Sequence, residues 1–464
     1  MKFLKKNNAI SNFYRILSIV LEIFIVAFSI YLAYMVRFRF RIIPPKFNYA
    51  PFERSLPFTI IVYMVFMYIF GLVDILKKSL WEIVYSIFLT VIMLFVFTMA
   101  ITFSLRGFSY PRLVILLSSV FQFFLLSIFK CLWWKLERKI YGTKNTVIIG
   151  QNGESIAKKI LLKHDDLYSI SSIIKNYTED KKSIVEKADI VLISDDLDEN
   201  TKSTIIKESM YMNKNIFIVP SVTDIAFYKA NFEQIDDVPI LKVDTLELSA
   251  EQKTVKRLLD IVVAIIATVV FSPFLIILPI IIKCTDGGSP FYFQERVTNG
   301  GKKFKLIKFR SMIVNAEKHS GPVLVTENDS RITKIGKIMR ATRLDEIPQL
   351  FNILKGDMSI VGPRPERPFY VEKFEKEIPD YKYRTFVKAG LTGLAQVLGK
   401  YNTTPEDKIK YDIMYIKNYS ILLDIKLIIQ TVKIMFMKES TEAVKDDVEL
   451  EEILKKKNIK IKIY

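Results

Sequence analysis

Residues 256–283 read KRLLDIVVAIIATVVFSPFLIILPIIIK, an apolar stretch long enough for the roughly 20 residues that a helix needs to cross a bilayer. Ser272 and Pro273 interrupt it near its middle, and proline both removes a helix hydrogen bond and clashes with the preceding turn. In lipid, the carbonyl that proline leaves unpaired needs another donor, which a serine hydroxyl can supply. The stretch is therefore predicted to form either one kinked crossing or a hairpin that breaks here and returns to the same face.

The composition of the whole chain is that of a membrane protein with soluble parts. The 464 residues are 50% hydrophobic and 25% charged, and this length allows roughly two to four domains. The formal net charge of +18 suits a protein that lies on anionic lipid or handles polyanionic substrates. Nucleic acid is not expected as a partner, because zinc-finger spacing, a heptad-linked basic region and an RNA-binding aromatic signature are all missing from the sequence.

Four other apolar segments come first, and residues 1–140 are predicted to form four transmembrane helices. The segments are 16–36, 58–73, 81–105 and 112–134. Four crossings place both ends of this region on one side of the membrane. Lysine and arginine, with Lys130 among them, are in excess on that side, which predicts that it is the cytoplasmic side.

Residues 144–248 are predicted to form a Rossmann-like α/β module. The segment NTVIIGQNGESIAKKILL indicates a strand, a tight glycine turn and a helix, and three later apolar runs indicate further buried strands. A dinucleotide-binding turn needs glycines for the turn itself, for the approach of pyrophosphate and for helix packing. Gly150 and Gly153 are present, but Asn152 and Ser155 stand at the second and third glycine positions. The module is therefore expected to lack a cofactor and to be structural or regulatory, with dimerisation as one role.

The chain after residue 283 is basic and mostly soluble in character. The segment FYFQERVTNGGKKFKLIKFRSM predicts two strands around an Asn-Gly-Gly turn. Apolar residues with interleaved lysines in KYDIMYIKNYSILLDIKLIIQTVKIMF predict helices that lie in the membrane interface. Residues 439–464 are charged and are predicted to be a loosely ordered tail.

The region between these segments contains the residue types that phosphate chemistry needs. A diphosphate needs cations on its oxygens, Mg²⁺ prefers one or two carboxylates with substrate oxygens, and a carboxylate can attack phosphorus. Asp345 and Glu346 form an acid pair in IMRATRLDEIPQL, and Pro363 and Pro365 hold an arginine loop extended. The cations are Lys305, Lys308, Arg310, Arg340, Arg343 and Arg364. Each motif alone is more typical of a solvated surface, but together with the broken apolar stretch they favour a catalytic site.

These motifs resemble the bacterial sugar transferases, the monotopic polyprenol-phosphate phosphoglycosyl transferases. The resemblance is carried by SPFLIILPII, FKLIKFRSM, RATRLDEIPQLFNILKGDMSIVGPRPERP, KAGLTGLAQV and YDIMYIKNYSILLDIKLI, and it covers nearly all of residues 257–437. The four N-terminal helices and the α/β module resemble the large members of the family. One local departure is Ala389-Gly390, where the family usually has Pro-Gly.

The resemblance implies a two-step exchange on phosphate. Asp345 would attack the sugar-bearing phosphate of a UDP-sugar, so that UMP leaves and a phosphosugar–aspartyl intermediate remains. Undecaprenyl phosphate would then take the phosphosugar, in the first membrane step of exopolysaccharide, capsule, O-antigen or glycoprotein glycan assembly. Asp345 and Glu346 would hold Mg²⁺, and Glu346 would assist the metal or accept the proton of the incoming lipid phosphate.

The resemblance also assigns the remaining residues and the architecture. The predicted phosphate and nucleotide contacts are Lys308, Arg310, Arg340, Arg343, Pro363, Arg364 and Pro365. Ser272 and Pro273 match the break of a re-entrant hairpin at 257–283, within a mixed α/β catalytic domain at 252–438. The implied setting is the bacterial inner membrane, with membrane lipids around the hairpin, the catalytic domain in the cytoplasm, and a homodimer and downstream glycosyltransferases as partners.

Two other functions compete with this prediction. A membrane-anchored nucleotide-sugar dehydratase or epimerase would need an intact glycine turn and a Tyr-x-x-x-Lys pair in one continuous domain. The glycine turn is incomplete and the module is short for such an enzyme. A non-catalytic scaffold of a polysaccharide assembly complex would tolerate loss of the acid pair. The sequence does not identify the sugar.

Overall fold

The chain divides into two compact units. The computed structural model describes residues 2–38, 46–105, 110–228, 230–314, 316, 329, 331–399, 403–435, 449–457 and 459–464, without the side chains of 2–12, 46–49, 51 and 286. The first unit is Met1–Val219 with Asp447–Tyr464, and the second is Pro220–Asp446. The sequence assigned residues 144–248 to the α/β module, but residues 220–248 of that range belong to the second unit.

The first unit begins with four long helices whose composition suits a bilayer. They are α1 (Lys2–Arg37), α2 (Lys46–Ile69), α3 (Leu80–Ser104) and α4 (Arg112–Tyr141). Within the described residues, these four are long and apolar enough to cross a membrane singly, as predicted. Helix α4 packs against α1 and α3, and α2 packs against α3. Apolar side chains such as Phe24, Val96 and Leu132 remain exposed, which is the surface that lipid contact requires.

A buried ion pair joins the helices of this bundle. Glu22 on α1 and Lys130 on α4 lie 2.6 Å apart, with side-chain exposures of 0% and 3%. Tyr63 on α2 donates to the same carboxylate at 2.6 Å, and Ser18 donates at 2.7 Å. Charges inside a membrane bundle are costly unless they are paired in this way. Lys130 therefore neutralises Glu22 inside the bundle, and it gives no information on which end of the bundle is cytoplasmic.

The first unit continues with an α/β module. Its elements are β1 (Lys144–Ile149), α5 (Gly153–Lys163), β2 (Tyr168–Ile174), α6 (Lys182–Glu186), β3 (Ile190–Ile193), α7 (Glu199–Tyr211) and β4 (Asn215–Ile218). The strands pair in parallel in the order β2-β1-β3-β4. Val147, Ile149 and Val191 are fully buried, which explains why the strands are nearly continuous apolar runs. The predicted sequence of strand, glycine turn and helix is confirmed.

The glycine turn after β1 already holds a carboxylate. Gly150 has a φ of +131°, and a Cβ at this position would lie 2.5 Å from Asp196 Oδ1. The backbone N–H of Asn152 donates to Asp196 Oδ2 at 2.6 Å. In dinucleotide-binding folds this turn receives the pyrophosphate. A pyrophosphate here would have to displace Asp196, whose negative charge also repels it.

The second unit contains the interrupted apolar stretch and a mixed α/β region. Its helices are α8 (Val222–Phe227), α9 (Ala250–Val270), α10 (Ser272–Asp286), α11 (Lys334–Ala341), α12 (Gln349–Lys355), α13 (Pro368–Glu377), α14 (Leu394–Leu398), α15 (Pro405–Lys417) and α16 (Ile421–Met435). Its strands are β5 (Asn231–Ile235), β6 (Val238–Lys242), β7 (Phe291–Val297), β8 (Lys303–Phe309), β9 (Ser359–Val361) and β10 (Gly390–Thr392). Strands β7 and β8 pair in an antiparallel hairpin, as the Asn-Gly-Gly turn predicted, and β9 pairs with β10 in parallel.

The interrupted apolar stretch forms two helices that meet at a bend of 60°. The break lies at Phe271, and Pro273 is the second residue of α10, where a missing N–H costs nothing. In an unbroken helix residue 273 would donate to the carbonyl of Val269. The hydroxyl of Ser272 donates to that carbonyl instead, at 2.7 Å. The predicted break with a serine as substitute donor is therefore present.

The C-terminal segment folds onto the first unit. Helix α17 (Leu450–Lys457) packs against α5, and Ile453 is buried in the core beneath the sheet. Strand β11 (Lys462–Ile463) adds to the free edge of β2 in parallel. The prediction of a loosely ordered tail is therefore wrong for these residues, because regularly spaced apolar side chains among the charges cover α5. The part of that prediction at 439–448 lies outside the described residues.

Candidate active site

The acid pair lies in a tight turn between two helices. Asp345 and Glu346 belong to a 3₁₀ turn at Leu344–Glu346, which connects α11 to α12. Arg343 precedes the turn with φ 58° and ψ 14°, in the left-handed region. A non-glycine residue in this region is strained, and such strain is often found at functional sites. The turn directs both carboxylates into the protein, where each residue is only 8% exposed.

Two cations from distant segments hold Glu346. Lys308, near the end of β8, lies 2.8 Å from Glu346 Oε1. Arg364, in the loop after β9, lies 2.8 Å from the same oxygen through Nη2. The structure thus brings together three of the predicted site residues. Both contacts use Oε1, so Oε2 can still ligate a metal ion.

The two carboxyl groups have opposite electrostatic environments. Burial and the adjacent charge of Glu346 raise the pKa of Asp345, and Lys308, Arg340 and Arg343 only partly oppose this rise. Burial alone would also raise the pKa of Glu346, but Arg364 and Lys308 outweigh it and hold that pKa well below its usual range. Glu346 is therefore held as an anion, whereas the ionised form of Asp345 is disfavoured by burial and by the neighbouring charge.

The loop that carries Arg364 is held through its own backbone carbonyls. Gly390 N–H donates to the carbonyl of Pro363 at 2.8 Å. Arg384 Nη2 donates to the carbonyl of Arg364 at 2.8 Å, and Arg296 Nη1 donates to that of Pro365 at 2.9 Å. The flanking prolines fix φ on both sides. Three consecutive carbonyls are thus anchored, which leaves the Arg364 side chain as the projecting group.

Arg384 is a site residue that the sequence did not reveal. It is buried, it hydrogen-bonds to Tyr381, and it lies 3.1 Å from Asp412 on α15. Burial raises the pKa of Asp412 to about 6, although Arg384 opposes the rise. The segment YKYRTF around Arg384 has no motif, and its partner is distant in sequence. Only the folded chain shows that this arginine supports the Arg364 loop.

The other predicted cations have different surroundings. Arg340 donates through Nε to Ser311 Oγ at 2.9 Å, so it braces the end of α11 against the segment after β8. Arg343 is exposed beside the turn, where its charge acts on both carboxyl groups. The guanidinium of Arg310 lies against Gly288. The structure therefore places Arg343 with the acid pair and gives Arg340 a bracing contact.

The acid pair suits a metal that is shared with a substrate. Among the described residues no cluster of three or more histidine, cysteine, aspartate or glutamate side chains is suited to bind a metal ion. Mg²⁺, however, needs only one or two protein carboxylates when phosphate oxygens and water complete its octahedron. Asp345 and the Oε2 atom of Glu346 offer that number beside the cations Lys308 and Arg364. The residues present thus fit Mg²⁺ held jointly with a phosphate ligand.

The fold and the site define a membrane protein with a cation-lined carboxylate pair for phosphate chemistry. The family model described as bacterial sugar transferase matches residues 251–438, which include every residue of the site. A Bacillus subtilis protein, named as a candidate undecaprenyl-phosphate N-acetylgalactosaminyl 1-phosphate transferase, is 49% identical over 30% of this chain and 76% of its own length. The chain belongs to the bacterial sugar transferase family.

Longer relatives match over different shares of their length. A UDP-N-acetylgalactosamine-undecaprenyl-phosphate N-acetylgalactosaminephosphotransferase from Aeromonas hydrophila is 43% identical over 39% of this chain. The chain spans 43% of that protein, less than half of its length. An undecaprenyl-phosphate galactose phosphotransferase from Salmonella typhimurium is 27% identical over 78% of this chain and 83% of its own length. The second similarity extends into the N-terminal helices and the α/β module.

Proposed function

We propose that the protein is a phosphoglycosyl transferase, which moves a sugar 1-phosphate from a UDP-sugar to undecaprenyl phosphate and releases UMP. The observation that carries the proposal is the acid pair itself. Glu346 is neutralised by Lys308 and Arg364, while the neighbouring Asp345 is buried with a raised pKa. The relatives from Aeromonas and Salmonella are named for sugar-phosphate transfer to the same lipid, which supports the choice of acceptor.

Asp345 is the nucleophile of the first step. A carboxylate oxygen bonds to the phosphorus that carries the sugar, and the bond from this phosphorus to the bridging oxygen breaks. UMP leaves with the electron pair of that bond, and an aspartyl-phosphosugar remains. Arg343 and Arg364 face the phosphate charges, and Mg²⁺ held by the acid pair would neutralise non-bridging oxygens.

The lipid phosphate takes the phosphosugar from Asp345 in the second step. Its oxygen attacks the same phosphorus, the bond to Asp345 breaks, and the carboxylate returns to its starting state. The low pKa of Glu346 makes it a poor proton acceptor. We therefore assign Glu346 to metal ligation and to holding Lys308 and Arg364. The lipid phosphate enters largely ionised, so a strong base is not required.

We also propose that α9 and α10 form a re-entrant hairpin in the cytoplasmic face of the inner membrane. The bend of 60°, the hydroxyl of Ser272 on the freed carbonyl, and exposed apolar residues on both helices support this placement. A hairpin keeps the active site at the depth of the lipid phosphate and on the side that holds sugar nucleotides. The Rossmann-like character of the module, a homodimer and downstream glycosyltransferases as partners stay predictions.

UMP release tests the proposal directly. Purified protein with Mg²⁺ and undecaprenyl phosphate would be offered a panel of UDP-hexoses, next to Asp345→Asn. We expect release with at least one sugar and its loss in the variant by a factor of about 10³ or more, as removal of a nucleophile produces. Asp357→Asn, an acidic residue beyond α12, is the matched control. Equal activity of Asp345→Asn and the parent would exclude the covalent mechanism.

A further inference from the structure

Helix α9 contacts both segments that carry the active site. Helix α12 follows directly from the turn with Asp345 and Glu346, and β9 leads directly into the loop of Arg364. Polar side chains near the start of α9 bind each of these segments, although the rest of the helix is apolar. The apolar remainder continues to the bend before α10. Helix α9 thus connects the two segments of the site to the apolar helices α9 and α10 that are proposed to enter the membrane.

Arg257 binds the end of α12. Its Nη1 donates to the carbonyl of Ile353 at 2.6 Å, and its Nη2 donates to that of Leu354 at 2.7 Å. The last carbonyls of a helix have no partner within the helix, and they carry the negative end of its dipole. A two-pronged guanidinium satisfies both needs and fixes the direction of α12. The orientation of the acid-pair turn therefore depends on where Arg257 lies.

Asp260 binds the start of β9. Its Oδ1 accepts hydrogen bonds from Ser359 Oγ and from Ile360 N–H, both at 2.9 Å. Asp260 is almost completely buried, so each of these bonds would leave an unsatisfied group if it were broken. Strand β9 ends just before the loop of Arg364. The position of that loop therefore depends on a residue one turn along α9 from Arg257.

A third contact joins the start of α9 to two other helices. Lys256 lies 2.6 Å from Asp424 on α16 and 3.0 Å from the hydroxyl of Tyr415 on α15. Tyr415 in turn donates to Asp424 Oδ1 at 2.7 Å. The three groups are buried. The helix is therefore held both to the segments of the site and to the two helices that the sequence predicts to lie in the membrane interface.

We propose that Arg257 and Asp260 are positioning residues that set the gap between the acid pair and Arg364 according to how α9 is seated in the membrane. This inference rests on the proposed function. The ion pair of Glu346 and Arg364 at 2.8 Å spans the two segments that α9 holds. A shift of about 1 Å between them breaks hydrogen-bond geometry, and misplacement of that size can cost about 10²-fold in rate. Catalysis therefore depends on the position of α9 in the bilayer.

The first test is kinetic and uses full-length protein in lipid nanodiscs. Asp260→Leu removes both acceptor bonds and should lower kcat for UMP release about 100-fold, with KM for the UDP-sugar changed less than threefold. Asp260→Asn retains an accepting oxygen and should keep kcat within about fivefold. Arg257→Gln should resemble Asp260→Leu, and Arg257→Lys should fall between. Lys253→Gln, an exposed lysine of the same helix, is the control and should be unchanged.

The second test varies the bilayer. Parent kcat should change about threefold between nanodiscs of short-chain and long-chain phosphatidylcholine, because bilayer thickness shifts a helix seated in it. Arg257→Gln should show less than half of that dependence, since its α9 no longer transmits the shift. A purely structural role predicts the same dependence in parent and variant. Full kcat in Asp260→Leu, or an unaltered thickness dependence in Arg257→Gln, would overturn the inference.

Hydrogen exchange separates this inference from the proposed function. Amides of 349–365 should exchange at least tenfold faster in Arg257→Gln and Asp260→Leu than in Lys253→Gln, whether or not the enzyme turns over. If the parent released no UMP with any donor, the proposed function would fail while the exchange result still reported on the contacts of α9. Unchanged exchange in both variants, with an active parent, would refute the inference alone.

Discussion

Replacing Asp412 by asparagine tests how the Arg364 loop is supported. Asp412 is 2% exposed and lies 3.1 Å from Arg384, whose guanidinium holds the carbonyl of Arg364. Burial raises the pKa of Asp412 from 3.8 to about 6, against the opposing charge of Arg384. The carboxylate thus supports the loop but is costly to keep ionised.

The cost follows from this pKa difference of about two units. At 1.36 kcal/mol for each unit, it corresponds to about 3 kcal/mol of folding free energy. The folded state binds the proton more tightly than the unfolded state. The contribution to stability is therefore fully present below a pH of about 4 and is lost as the pH rises through about 6. Asparagine does not titrate in this range, so the unfolding free energy of Asp412→Asn lacks this pH-dependent contribution.

Calorimetry of the purified protein between pH 4 and pH 7 measures the effect. A change of about 3 kcal/mol corresponds to roughly 6–12 °C for a unit of this size. Between pH 4 and pH 7, the melting temperature of the parent should fall further than that of Asp412→Asn, by this difference. Glu406→Gln removes an exposed carboxylate from the same helix and should track the parent. Parallel curves for parent and Asp412→Asn would refute the reasoning.

Three further predictions follow from the site and the tail. Burial and the charge of Glu346 raise the pKa of Asp345. Glu346→Gln should therefore move the acidic limb of the pH–rate profile to lower pH. A shift of this limb to higher pH would contradict the reasoning. Arg343→Gly relieves the strain of the left-handed backbone and should melt no lower than the parent, whereas the β-branched side chain in Arg343→Val suits this region least and should lower stability by about 1–2 kcal/mol. Ile453→Asp, which buries a charge against α5, should destabilise the first unit by about 3 kcal/mol while kcat for UMP release is unchanged in the folded fraction.

The sequence predicted those features that depend on local pattern. Apolar length located the four N-terminal helices, and the Ser272-Pro273 pair located the break in the fifth apolar stretch. The acid pair and the Arg364 loop were predicted because their residue types match phosphate chemistry. Their contact through Glu346 was not, since it needs the fold to bring a turn and a loop together.

The features that the sequence missed are pairings between distant residues. Lys130 reads as an interfacial lysine until Glu22 is found beside it, and Arg384 reads as one more surface cation until Asp412 is found. The C-terminal tail reads as a charged coil, because the apolar spacing in α17 is short and its partner α5 lies far earlier in the chain. The partners in these contacts lie far apart in the sequence, so only the folded chain reveals them.

The covalent intermediate is the central claim, and mass spectrometry tests it most directly. The protein would be incubated with its UDP-sugar and Mg²⁺ without undecaprenyl phosphate, quenched in acid and digested. The peptide containing Asp345 should gain the mass of one sugar phosphate, stoichiometric with released UMP, and should lose it when undecaprenyl phosphate is added. An unmodified Asp345 peptide from enzyme that turns over fully when the lipid is present would contradict the mechanism and indicate direct transfer between the two substrates.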